Sequence, residues 1–142
     1  EQIASIDKQL EAFVNNFDTP LKSITGLGHL EISVILSVTN NLNNFDSPSK
    51  VLAYAGLDPV VRQSGKWHAS KSRMSKRGNS LLRYTLIWAS YNVCKNNKTF
   101  MNYYLKKTSE GKSHYAALGH CAGKLVRVIF KLIKSNESFN LD

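Results

Sequence analysis

The sequence is poor in the features that define several common protein classes. It has two cysteines, Cys94 and Cys121, in 142 residues. So few, so widely separated, cannot frame a disulfide-stapled fold, and they are expected to be reduced thiols in a core. Three prolines and eight glycines are too few for a linker-rich or low-complexity chain. No apolar run approaches the roughly 18 residues that cross a bilayer, and no signal peptide is visible. A cytoplasmic, nucleoid-associated chain with no membrane attachment is expected. His29, His68, His114 and His120 share no zinc-ligand spacing with the cysteines; the nearest approach, His120 and Cys121, points its side chains about 100° apart on a helix. No metal site is expected within the chain. There is no initiator methionine, and the chain is read as one domain of a longer protein.

The most informative shortage is of acid. Residues 1–58 hold seven acidic and three basic side chains, a net −4, whereas residues 59–142 hold three acidic and sixteen basic ones, a net +13. From Pro59 to Ser109 there is no Asp or Glu at all, against eleven Lys and Arg. Those cations lack carboxylate partners nearby in the chain and are left to an external polyanion, for which phosphate is the obvious candidate. An anionic membrane surface or an acidic protein would satisfy the same count.

What is present predicts a mainly α fold. Ile3, Ile6, Leu10, Phe13 and Phe17 follow the spacing of one helix face, which suits either the end of a coiled coil or a linker helix packed on its own domain, over residues 1–19. Pro20 opens a short second helix. Ile24-Thr25-Gly26-Leu27-Gly28 then leads into the apolar helix of Ile32, Ile35, Leu36 and Val38, a helix-hairpin-helix pattern over residues 20–39. There Gly26 and Gly28 permit a tight turn that can face a phosphate, with Leu27 plugging the space between helices. Asn40 to Asp46 reads as a polar connector. Ser47-Pro48 starts a helix that Gly56 stops. Residues 57–79 lack helical periodicity and are predicted to form a basic loop or short β-hairpin. Three further helices follow. Leu81, Leu82, Leu86, Ala89 and Val93 point inward on the first, the second surrounds Phe100, Tyr103 and Tyr104, and the last runs over about 113–135. This last helix is apolar around most of its circumference apart from a strip of Lys124, Arg127, Lys131 and Lys134.

Chemistry concentrates in residues 62–83, which hold seven Lys or Arg, five serines, two glycines and no carboxylate. Arg62, Lys66, Lys71, Arg73, Lys76, Arg77 and Arg83 can neutralise phosphate oxygens, and Gly65 and Gly78 allow close backbone approach. Asn79 or Ser80 can cap the following helix. A serine in such surroundings can donate a hydrogen bond to phosphate, or can be a nucleophile whose alkoxide and pentacovalent transition state the cations stabilise. Chemistry alone does not rank Ser64 against Ser75.

The ordered set Ile24-Thr25-Gly26-Leu27-Gly28, Ala53-Tyr54-Ala55-Gly56-Leu57-Asp58-Pro59, Gln63-Ser64-Gly65-Lys66, Ser75-Lys76-Arg77-Gly78-Asn79 and Leu82-Arg83 resembles the C-terminal transposase domain of the DEDD-plus-serine insertion-sequence transposases, also called bridge recombinases. The resemblance covers about residues 20–135. It implies that residues 20–142 are the C-terminal transposase domain and that Ser64 is the catalytic serine; Ser75, between Met74 and Lys76 near the start of the next helix, is placed to donate to phosphate or to cap. The resemblance further implies a composite site completed by an N-terminal RuvC-like domain of the same protein. That domain's four carboxylates hold Mg2+, and this domain holds no cofactor. The implied partners are DNA, a structured guide RNA and further copies in a homo-oligomer, and the domain alone is expected to be catalytically silent. Two other readings compete: a helix-hairpin-helix module that only binds nucleic acid, and a basic scaffold for acidic proteins. Gln63-Ser64-Gly65-Lys66 discriminates, because a pure binding module has no need of that serine.

Overall fold

The computed structural model describes residues 2–15, 19–57, 59–60, 63–64, 67–68, 73–74, 78–136 and 139. The described chain is mainly helical, with α1 (Gln2–Asn15), a 3-10 turn (Pro20–Ser23), α2 (His29–Val38), α3 (Pro48–Ala55), α4 (Ser80–Asn96), α5 (Lys98–Ser109) and α6 (His114–Ser135). Four two-residue strands, β1 (Pro59–Val60), β2 (Gln63–Ser64), β3 (Trp67–His68) and β4 (Arg73–Met74), lie between α3 and α4.

The broad apolar arc of α6 makes it the axis of the fold. It buries Ala117, Leu118, Cys121, Ala122 and Gly123 in its first half and Leu125, Val126, Ile129 and Leu132 in its second. The 3-10 turn, α3, α4 and α5 all pack on it, α2 packs on α4, and α1 packs on α2. Each large aliphatic side chain so buried contributes roughly 1.5–3 kcal/mol of transfer free energy. On α4 the buried stripe is Leu82, Leu86, Ala89 and Val93. Leu81 belongs elsewhere: one residue off that stripe, it is rotated about 100° away and is 54% exposed.

Side-chain oxygens set the helix starts. Ser47 accepts from Lys50 N with Pro48 in the first turn, Asn79 from Leu82 N at 2.8 Å, and Ser113 from Ala116 N at 3.2 Å. Asn97 ends α4 and caps α5 by accepting from Phe100 N, which folds the two helices into a tight corner. Gly56 ends α3 in the left-handed region at φ 73°, with Leu57 N donating to the Leu52 carbonyl.

The stretch expected as a polar connector after α2 carries an apolar anchor. Asn40, Asn41 and Leu42 adopt φ of 51°, 56° and 61° in succession, and Leu42 is fully buried. A leucine in that region costs about 1–2 kcal/mol, a strain the burial of its side chain offsets. The ammonium of Lys134 donates to the Leu42 carbonyl at 3.1 Å and ties this turn to the end of α6.

Candidate nucleic-acid interface

The basic segment grows out of a joint between α3 and α4. After the Gly56 stop the chain leaves toward β1, and it returns through Gly78 into the Asn79 cap. The two ends meet: Asn79 N donates to the Tyr54 carbonyl at 2.7 Å, and Gly78 passes so close that an added Cβ would lie 2.1 Å from that same oxygen. Gly78 also has φ 92°. Arg83, one turn into α4, donates from Nη1 to the Ala55 carbonyl at 3.4 Å. A cation at the carbonyl end of α3 suits the helix dipole. The motifs around Tyr54-Ala55-Gly56 and Gly78-Asn79 through Arg83, separated by more than twenty residues, are therefore one structural unit.

Between these ends the described strands are nested antiparallel pairs. Pro59 faces Met74 and Val60 faces Arg73 in β1 and β4, while Gln63 faces His68 and Ser64 faces Trp67 in β2 and β3. The backbones of Ser64 and Arg73 are thus placed, in the inner and the outer pair. Arg62, Lys66, Lys71, Ser75, Lys76 and Arg77, expected to meet phosphate, lie outside the described residues. The structure brings together the two ends of the segment and Arg83.

At the glycine turn, Gly26 and Gly28 differ. Gly26 has φ 97°, and its Cβ position lies 2.7 Å from the Asn92 carbonyl and 3.0 Å from the Cα of Val93, so α4 covers it. Gly28 caps α2 at φ −79° and ψ 167°, an extended conformation open to any residue. Of the two glycines expected to shape the tight turn, only Gly26 takes a positive φ. Moreover, the Glu31 carboxylate sits in the first turn of α2, where its Oε2 is 2.8 Å from the Gly28 Cβ position and its Oε1 accepts from Asn92 Nδ2 at 3.5 Å. An anion already occupies the ground a phosphate would take. Leu27 is buried in the core. Gly26→Val is expected to cost about 2–3 kcal/mol, from a left-handed β-branched residue driven into α4, whereas Gly28→Val asks the end of the Glu31 side chain to swing aside and costs under about 1 kcal/mol. Thermal melts of the two variants check the contrast, and equal melting points would contradict it.

Residues 18–105 match the Transposase IS116/IS110/IS902 family. The chain belongs to that family. It is also similar to two insertion-element proteins. Over 98% of its length it is 25% identical to the 44.8 kDa protein of insertion element IS116 from Streptomyces clavuligerus, covering 35% of that protein. Over 83% of its length it is 25% identical to the 42 kDa protein of insertion element IS900 from Mycobacterium paratuberculosis, covering 30% of it. This transposase-family chain therefore spans about a third of the length of these relatives.

Elsewhere in this family member, described cations engage rings and carbonyls as well as carboxylates. Lys124 lies over Phe100 and Tyr103, Lys95 over Tyr91 at 5.0 Å, and Lys107 over Tyr103 while also pairing with Glu110 at 3.4 Å. Along the basic strip of α6, Lys124 lies over two rings and Lys134 bonds the Leu42 carbonyl, while Arg127, Lys131 and Lys134 are all exposed. Partial burial first, then the charges of Lys107 and Lys112, hold the imidazole of the largely exposed His120 below the usual histidine range. Cys94 and Cys121 are buried free thiols; Cys94 Sγ donates to the Phe100 carbonyl at 3.6 Å, and the neighbouring Cys94 thiol together with burial pushes Cys121 up, away from thiolate chemistry. Among the described residues no group of three His, Cys, Asp or Glu converges as for a metal, and no helix is long and apolar enough to cross a membrane.

Sequence reasoning missed an exposed aromatic surface on α4 and the start of α6. Tyr84 and Trp88 are 64% and 45% exposed, and Tyr115 is 72% exposed. The 84-88-91 spacing carried the signal, but aromatics at helical spacing usually mark a core.

Proposed function

We propose that this chain is the serine-bearing domain of a DNA transposase, with Ser64 as nucleophile and the basic segment as the phosphate seat. Family membership supports a role in DNA transposition. The observation that carries the site is the joint at Tyr54, Gly78 and Asn79, which roots a cation-rich excursion, free of Asp and Glu from Pro59 onward, bearing Ser64 in its inner strand pair. Arg62, Lys66, Lys71, Arg73, Lys76 and Arg77 surround Ser64 and Ser75 in sequence and would neutralise phosphate oxygens, while Arg83 keeps further donors beyond the one bonded to Ala55. The Gly26 and Gly28 turn, packed on α4 and fronted by Glu31, acts as a structural hairpin in this reading.

In the reaction the Ser64 Oγ attacks phosphorus and loses its proton, a serine–phosphate bond forms, the bond to one sugar oxygen breaks, and that oxygen takes up a proton. Cations held beside the phosphate stabilise the added charge of the pentacovalent transition state. Residues 59–109 hold no carboxylate, so this segment does not suit Mg2+. The metal is assigned to the N-terminal RuvC-like domain of the full-length protein, and residues 1–19 to the link toward it. A structured guide RNA and a homo-oligomer complete the proposed assembly in the cytoplasm.

Two measurements test this. Denaturing a reaction of the full-length protein with DNA and RNA, then mapping the modified peptide, should find the adduct on the peptide containing Ser64; an adduct elsewhere, or none, removes the nucleophile. For the 142-residue chain, neutralising about five phosphates predicts a log–log salt slope on the order of −4 to −5 for duplex DNA. A slope near zero would remove the electrostatic argument.

A further inference from the structure

The aromatic surface of α4 has no place in the chemistry just described. Its rings form a continuous edge-to-face chain: Tyr84 to Trp88 at 6.4 Å, Trp88 to Tyr91 at 5.6 Å, Tyr91 to His114 at 6.3 Å and His114 to Tyr115 at 5.5 Å. Trp88 Nε1 donates to the Tyr84 hydroxyl, and the Tyr104 hydroxyl and His114 Nδ1 share a hydrogen bond at 2.7 Å, two bonds that help hold the strip in shape. Two adjoining grooves of about 670 and 500 Å3 run along it, both lined by Tyr84, Ile87 and Tyr115. The first begins at Ser80 and Arg83, in the opening turn of α4 that directly follows the basic segment.

Large exposed rings cost free energy in water unless something covers them. The charge around these favours a polyanion. All seventeen residues of α4 lack Asp and Glu, Arg83 stands near one end of the strip, and Lys95 at the other lies over the Tyr91 ring. Glu31 borders the far side of Tyr84 and Trp88, in a third groove, and would confine a phosphate chain to the Tyr115 side. From Tyr84 to Tyr91 the helix rises about 10 Å, the length of about three stacked nucleotides. A paired duplex hides its base faces, whereas an unpaired strand presents flat π surfaces to rings and phosphates to flanking cations.

We infer that the Tyr84, Trp88, Tyr91 and Tyr115 strip is a stacking platform for about two to three unpaired nucleotides of a single strand leaving the basic segment. This rests on the reading of the chain as a DNA-acting domain and deepens it by naming the strand state that this face takes.

The test compares binding of a 15-nucleotide oligothymidylate and a 15-base-pair duplex to the 142-residue chain and to two paired variants. Tyr84→Ala with Tyr115→Ala should weaken oligothymidylate binding by about tenfold or more, because each ring stacks a base, and should leave duplex affinity within about twofold. Tyr84→Phe with Tyr115→Phe keeps the rings and should bind both oligonucleotides nearly as the parent does. Both positions are exposed, so the folds of the variants should match by circular dichroism. An equal loss on both ligands, or no loss on oligothymidylate, overturns the platform. So does sedimentation showing that the alanine pair dissolves a dimer while oligonucleotide binding is unchanged, since the strip then serves a second copy of the chain. If the parent binds duplex but not oligothymidylate, the platform alone fails; if it binds neither, the DNA reading fails with it.

Discussion

Replacing Ser64 with alanine in the full-length protein, supplied with RNA and DNA substrates, is expected to remove the covalent protein–DNA adduct and strand cleavage while DNA affinity changes only a few fold. The loss should be on the order of 10^4-fold or more in cleavage rate, because deleting a nucleophile removes the bond-forming atom itself. Affinity is spared because phosphate charge is met by the surrounding Lys and Arg, and a serine hydroxyl adds about one hydrogen bond to that. Ser75→Ala supplies the contrast. Ser75 stands between Met74 and Lys76, just before the Gly78-Asn79 entry to α4, where a hydroxyl suits phosphate positioning, and its loss should reduce cleavage only partly. Ser64 instead lies in β2, opposite Trp67, with Gly65 following. Gel-resolved adduct and cleaved strand report both variants. An adduct that survives Ser64→Ala and vanishes with Ser75→Ala reverses the assignment; survival in both ends the phosphoserine mechanism.

The largest structural effect is expected at Gly78. Alanine there must adopt φ near 92° and also place a methyl carbon 2.1 Å from the Tyr54 carbonyl oxygen, which is backbone and cannot rotate aside. The chain has to back away from α3, taking with it the Asn79 N–H bond to Tyr54 and loosening the Asn79 cap of α4. We expect a loss of about 3 kcal/mol or more, a fall of roughly 10 °C in Tm. Gly111 is the control, since it has φ 93° but nothing within 4 Å of its Cβ position. Gly111→Ala meets the backbone strain alone and should cost about 1 kcal/mol. The difference between the two melts isolates the close approach at the root of the basic segment, and equal melts would show that the joint is not tight. In the full-length protein, Gly78→Ala should also lower adduct yield at temperatures where the fold persists.

Much of this was legible in local patterns. The helices at Pro48, Ser80 and residues 113–135, the Ser47 cap, Asn79 as one of two cap candidates, and the Gly56 stop follow from cap chemistry and periodicity, which act within a few residues of the chain. The charge asymmetry is likewise a property of composition. Other features depend on which distant backbone lies nearby, and no local rule reports that. Gly26 and Gly28 look alike in sequence, yet only Gly26 is pressed against Asn92 and Val93. Leu81 looks as inward as Leu82 until α6 selects the stripe that α4 buries. Leu42 reads as part of a polar connector until the core takes it up, and Arg83, a phosphate candidate in sequence, gains a second partner in the carbonyl end of α3. Tyr84, Trp88 and Tyr91 have the spacing of a core stripe, but the buried side of α4 is already taken by Leu82, Leu86, Ala89 and Val93, so packing turns the rings outward. Sequence by itself determined the helical character, the helix ends and the concentration of positive charge, because each arises from neighbours along the chain. Only the tertiary structure decided which glycines are close contacts, which cations are engaged and which aromatics face water, because each is settled by the packing of residues far apart in sequence.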